Sequence, residues 1–325
     1  MAEPLKGTFF AFRKREHGGV LLKASVAYVL ALILLCVAMG GLAWLALGGM
    51  DFFSWYAGVL QAAAEGSTAQ MPPPSNPAGL LLLIPLYFVF LFAMFVLLAS
   101  YEAACVRWMV RGERSAFGLH FGADMWRVYG TYWVFLLFAI VGWIVFFIVS
   151  MIAGAIAANA GDFGGWIVFA VMLAAFLACI YVCVRLSSAS ATSIAIGRFD
   201  PLKAWSASRG RFWAIFGAYV LLAILYLVAY LIVASVALGA FWTQIVSQLD
   251  WTLAQSDPQA FMRAYEQASM QAMADMFASP ASIALYFGGQ ALIYAVVLVF
   301  YVLWFGVESR VAQAALEEGK IQAAS

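Results

Sequence analysis

Six long apolar runs, separated by connections alternately rich and poor in lysine and arginine, restrict this chain more than any other feature. The runs cover about 22–48, 79–106, 129–157, 165–186, 213–242 and 282–307. Each passes the roughly 18 residues that mark a candidate membrane-spanning helix. Charged residues are 10% of the chain and hydrophobic residues 66%, whereas an ordinary soluble domain carries about 25% charged residues. The expected fold class is therefore all-α: a polytopic membrane protein of six transmembrane helices. No connection exceeds about 40 residues, too short for a second core, so residues 1–325 read as a single transmembrane domain.

The cations set the expected orientation. Of 17 Lys and Arg, 16 lie in the N-terminal segment (Lys6, Arg13, Lys14, Arg15, Lys23), the second connection (Arg107, Arg111, Arg114, Arg127), the fourth (Arg185, Arg198, Lys203, Arg209, Arg211) and the tail (Arg310, Lys320). The first and third connections have none, and the fifth has Arg263 alone. Positive residues stay cytoplasmic during insertion, so both termini are expected in the cytoplasm. The first run is too long for a signal-peptide core and reads as an uncleaved span. Cys36, Cys105, Cys179 and Cys183 are too few for a disulfide framework.

Phe9, Phe10 and Phe12 beside Arg13, Lys14 and Arg15 suit a segment at the headgroup boundary, although topology charges alone explain the same residues. Pro72–Pro74 reads as a stiff outer spacer, and Pro85 should bend the second span near its outer end. Glu102 lies at that span's inner end, five residues before Arg107, where an acid can carry a function or can pair with a nearby arginine or snorkel to the inner surface. His120 has no partner at metal-ligand spacing. In the third span Ser150, Gly154 and Ala158, and Ala153, Ala157 and Gly161, form small-residue faces for packing on the fourth span, or for self-association. Gln290 is expected to hydrogen-bond between helices. Glu308 and Arg310 repeat an acid–base pattern at the inner end, and Arg185 closes the fourth span.

The inner connections share a plan. Gly112 and Gly197 stand 85 residues apart, and Ser115 and Asp200 at the same offset are both suitable helix N-caps. Short interfacial helices are expected at about 115–127 and 200–211. Gly319 matches Gly197 in the tail, so the six spans read as three pseudo-repeated helix pairs. Asp257-Pro258 opens an outer helix at about 258–278, with Phe261, Met262, Tyr265, Met273 and Met276 on one side. Thioethers at Met270, Met273 and Met276 could hold copper, but an amphipathic helix accounts for them equally well. No cofactor or metal is expected.

Reactive constellations are scarce. No carboxylate and histidine series crosses the spans, no P-loop appears, and two histidines cannot make a HExxH site. No catalytic residue is nominated. Arg13, Lys14, Arg15, Arg111, Arg114, Arg127, Arg198, Lys203, Arg209 and Arg211 are candidate lipid-headgroup or interfacial residues. Glu102, Arg107, Arg185, Gln290, Glu308 and Arg310 are candidate structural polar residues.

The stretch from Arg185 through Gly197, the Pro201-Leu202-Lys203-Ala204-Trp205 segment and the basic turn into Trp213 resembles a broad bacterial group. That group includes YciC-like inner-membrane proteins and the membrane domain attached to some glycerophosphoryl diester phosphodiesterases. The resemblance implies a six-helix membrane domain in the bacterial inner membrane. The phosphodiesterase's soluble catalytic barrel is absent, and its activity does not carry over. The leading expectation is a non-enzymatic integral inner-membrane protein organising lipids or membrane partners. The alternative is a transporter or permease subunit for a lipid or apolar solute, expected to show a cavity at membrane depth near Pro85 or Gln290. A membrane enzyme is a third. Expected partners are membrane lipids, other membrane proteins or a second copy, and not nucleic acid.

Overall fold

A computed structural model of the chain describes residues 7–13, 19–49, 51, 55, 76–159, 161–276 and 279–323. In order, the helices are α1 (Phe10–Arg13), α2 (Gly19–Leu47), α3 (Pro77–Arg111), α4 (Ala123–Ala158), α5 (Gly164–Leu186), α6 (Ala189–Ile196), α7 (Lys203–Ala207), α8 (Phe212–Gln248), α9 (Leu253–Ser256), α10 (Pro258–Met276) and α11 (Pro280–Glu317). A 3₁₀ turn, Gly161–Phe163, joins α4 to α5, and no strand occurs among the described residues. Six helices are long and apolar enough to cross a membrane, and the chain is a multi-pass membrane protein. Several outlast their apolar runs: α3 continues to Arg111, α8 to Gln248 and α11 to Glu317. Backbone hydrogen bonding does not stop where hydropathy does.

The segments expected to lie along the surface are shorter than anticipated. No separate helix covers 115–127. Residues 112–122 form a turn, and Ala123 onward already belongs to α4. Gly112 and Gly118 hold φ of 75° and 85°, left-handed conformations that interrupt a helix. Ser115 caps nothing: its carbonyl accepts from Gly118 N at 3.3 Å. The 200–211 helix contracts to the five residues of α7, because the Asp200 carboxylate turns 3.6 Å toward Arg198 and makes no cap. The outer helix α10 does form. Asp257 Oδ1 accepts from Gln259 N and Ala260 N at 3.1 and 3.0 Å, a capping arrangement. Pro72–Pro74, Lys14 and Arg15 lie outside the described residues.

The described chain divides into two compact units. The first comprises Met1–Arg13 and Arg211–Val307. In it the fully buried Thr8 donates to the Ala218 carbonyl at 3.4 Å. Ala11 lies so close to Gly306 that a Cβ there would stand 3.0 Å from it. The N-terminal segment is thus docked on α8 and α11. Tyr219 and Trp304 also tie those two helices, with ring centroids 4.5 Å apart. Within this unit α10 packs on α8 through Ile245, Leu249, Ala268 and Ala272, flanked by Phe261 and Tyr265. Met262 is exposed instead; the side chains of Met273 and Met276 are outside the described set.

The second unit comprises Lys14–Gly210 and Glu308–Ser325, and its core lies at the arginine-rich end of its helices. Tyr101, Cys105, Val106, Met109, Val128, Thr131, Thr192 and Ile194 are buried there. The middles of its spans are bare, as at Leu34, Phe88, Trp143 and Phe176. Surface this apolar needs hydrocarbon around it. At the opposite end, Asn76 joins α2 to α3. Its Nδ2 donates to the Ala46 carbonyl at 2.8 Å, and its Oδ1 accepts from Gly79 N at 3.1 Å. The expected α4–α5 packing is present: Gly164 has no room for a Cβ against the Ala157 carbonyl, and Ala153 is buried. Of the other small-residue face, Ser150 Oγ meets Met172 Sδ at 3.6 Å, while Gly154 faces open space.

Candidate functional site

The arginine-rich end of the second unit has three polar layers. The innermost is carboxylic. Glu102 on α3 and Glu308 on α11 are each 5% exposed. Tyr132 Oη donates to Glu102 Oε2 at 2.6 Å, and Ser190 Oγ donates to Glu308 Oε2 at 2.8 Å. The Ser190 hydroxyl also neighbours Glu102, so α6 stands between the two acids. Glu102 therefore neither snorkels nor bonds Arg107. Five residues at 100° each turn Arg107 about 140° away around the helix, and Tyr132 fills the position opposite the acid. Ser190 and Tyr132 carried no sequence signal beyond being polar residues among apolar ones.

The middle layer is an ion network around one carboxylate. Asp124, in the first turn of α4, is 3% exposed. Arg107 Nη1 reaches its Oδ2 at 2.9 Å and Arg111 Nη1 at 3.3 Å, and Arg127 donates to Oδ1. Arg107 also bonds Glu113, and it lies 2.7 Å from His120 Nε2. Arg111 donates to the Ile194 carbonyl, at the open end of α6. Three guanidiniums, two carboxylates and an imidazole thus lock α3, α4, α6 and the 112–122 turn together. Burial, then the Arg107 charge, pushes the His120 pKa down from its ordinary value. Arg111 and Arg127, expected as headgroup or interfacial residues, are ion-paired with Asp124.

The outer layer is the 198–211 connection. Arg185, 7% exposed, stacks on Trp205 with Cζ 4.7 Å from the ring centroid and lies 5.9 Å from Tyr181. Ser208 Oγ donates to the Arg185 carbonyl at 2.9 Å. With Ala204 and Ala207 buried, these contacts seat α7 on the end of α5. Its other side presents Arg198, Lys203 and Arg209 together with Phe199 and Leu202, all exposed. Phe199 rests on Gly130 of α4. Lys320 Nζ ties the tail to the Arg209 carbonyl at 2.8 Å, and Arg310 pairs with Glu317 at 3.1 Å.

The remaining nominated residues do not join this site. Arg211 opens α8 in the first unit, half-buried. Gln290 is half-buried on α11, with no interhelical hydrogen bond among the described residues. Arg13 closes α1. Two cavities are lined by described residues of the second unit. One, of about 490 Å³, is an open apolar groove along α4 between Leu136 and Phe147. The other, of about 310 Å³, lies between α2, α3 and the 112–118 turn. Neither is lined by Glu102, Glu308, Pro85 or Gln290. Comparison with protein-family models, curated proteins and solved structures found no match to the chain.

Proposed function

We propose that this is a non-enzymatic integral inner-membrane protein that gathers anionic lipid, and membrane partners with it, at a cytoplasmic arginine-rich end. The observation that carries the reading is the two-sided 198–209 segment. One side is sealed onto α5 through Ala204, Ala207, Ser208 and the Arg185–Trp205 stack. The other offers three cations interleaved with exposed apolar side chains. That composition favours a surface lying at anionic headgroups. The placement of both termini in the cytoplasm rests on the same cation bias. The kinship with YciC-like proteins and the phosphodiesterase membrane domain, and the three-fold repeat of helix pairs, belong to this reading. Gly112, Gly197 and Gly319 support the repeat by sharing left-handed φ of 75°, 71° and 68° at helix ends.

Native mass spectrometry of the full chain purified with its lipids tests the reading. Exchange of Lys203 and Arg209 to Gln should lower retention of anionic lipid and leave zwitterionic lipid unchanged. Equal retention by both forms would remove the 198–209 surface as the gathering site. Neither described cavity lies at Pro85, Gln290 or the Glu102–Ser190–Glu308 cluster, so neither carries a transport or a catalytic reading.

A further inference from the structure

We infer that the cavity between α2, α3 and the 112–118 turn is a discrete site for a phosphate-bearing headgroup, held by Lys23, Arg114 and Ser115. This inference does not depend on the 198–209 surface. The cavity follows from how the turn is pinned. Gly112 ends α3 in a left-handed conformation, and Gly118 lands on α2 at Lys23 and Ala27. Between the turn and the two helices lies a cavity of about 310 Å³. Pockets of roughly 300–1,000 Å³ accommodate small ligands.

The lining has one electrostatic sign. Lys23 and Arg114 come from different elements, and no acid lies among the described lining residues. Neighbouring Glu113 is turned away onto Arg107. Lys23 Nζ gives one hydrogen bond, 2.7 Å to the Ala116 carbonyl, and keeps two further donors. Arg114 is exposed, with no ion pair among the described residues. Ser115 Oγ is shielded from solvent and has no hydrogen-bond partner among the described residues. Gly19, Val20 and Leu21 of α2 complete the wall. Two cations and a hydroxyl on one cavity wall, with no described carboxylate among them, suit a polyvalent oxyanion, and phosphate accepts from all of them.

A lipid source fits what lies below. Leu22, Val26, Leu30, Ile33 and Val37 are exposed at near-helical spacing along α2, beginning beside the cavity. That stripe would lie along an acyl chain whose phosphate occupies the basic end.

The test uses the full chain in nanodiscs of phosphatidylglycerol or phosphatidylcholine, with lipid retention followed by native mass spectrometry and inorganic phosphate as the soluble competitor. Arg114→Gln is the principal variant, since the exposed side chain supports no contact of the fold. Ser115→Ala and Lys23→Gln follow. The expected result is an about tenfold weaker retention of phosphatidylglycerol in R114Q, the size of one lost charge-assisted contact, while the Lys203/Arg209 double variant keeps this adduct. If millimolar inorganic phosphate in lipid-free detergent raises the melting temperature of wild type but not R114Q, the site takes free phosphate as well. If only the lipid responds, the ligand is a headgroup. Equal lipid retention and equal phosphate response in wild type and R114Q overturn the site. Loss in the Lys203/Arg209 variant alone overturns it too, and leaves the surface reading standing.

Discussion

Tyr132 Oη lies 2.6 Å from Glu102 Oε2 and supplies a hydrogen bond to an acid that is 5% exposed. Two helices, α3 and α4, are joined by that contact beneath the ion network. A buried polar group stripped of its donor costs about 1–3 kcal/mol. Tyr132→Phe should therefore destabilise the detergent-solubilised protein by about that amount, read as a lower midpoint of chemical unfolding. Ser190→Ala should add to it less than independently, because Ser190 serves the same acid pair. Strict additivity would show that Ser190 and Tyr132 do not share Glu102.

Asp124 is the single carboxylate on which Arg107, Arg111 and Arg127 meet. Asp124→Asn leaves three partly buried guanidiniums without their common counter-charge. Breaking a buried ion pair from one side costs up to about 3–5 kcal/mol, and Asp124→Asn should approach that range. Arg127→Gln leaves two cations on the acid and should cost less than half as much. The comparison is made by thermal unfolding in one detergent. Equal losses would mean that Asp124 acts only through Arg127.

Charge position and hydropathy made the six spans legible, and Asp257-Pro258 marked the start of α10. What they left hidden was pairing. Arg111 and Arg127 look in sequence like cations waiting for headgroups, and Arg107 like a partner for Glu102. Only the fold shows Asp124 drawing all three inward. Gly118 was equally silent, because a left-handed residue leaves no hydropathy signal, and it removed the helix expected over 115–127. Ala189–Ile196 reads as a weakly polar interruption. Its small hydroxyl residues are in fact a buried helix that brings Ser190 to both acids. Short local windows register amphipathy toward solvent or lipid. They do not register a polar core sealed within the protein.

His120 should impose an acid-side loss of stability. Burial, followed by the Arg107 charge, lowers its pKa, against the opposing pull of Asp124 and Glu113. The unfolded chain then takes up a proton at about pH 6.5, where the folded chain still does not. Stability is complete above that value and falls as pH drops toward the lowered folded pKa. Melting temperatures recorded from about pH 7.5 to 5.5 should fall more steeply for wild type than for His120→Gln. Parallel profiles would remove His120 as the source.

Gly112 and Gly118 separate backbone cost from crowding. Both hold positive φ, 75° and 85°. A Cβ at Gly112 meets open space, whereas one at Gly118 would lie 2.8 Å from the Lys23 carbonyl oxygen and 2.9 Å from Ala27 Cβ. Gly112→Ala should cost only the left-handed penalty, about 1–2 kcal/mol. Gly118→Ala carries that penalty and also pushes the turn off α2, so its loss should exceed that of Gly112→Ala by at least about 1 kcal/mol. Unfolding midpoints of the two variants measure the difference. The displaced turn should also expose Cys105, now fully buried beneath it, to a thiol reagent in the folded Gly118→Ala protein. Equal midpoints with Cys105 still protected would show that the 112–118 turn is not anchored on α2.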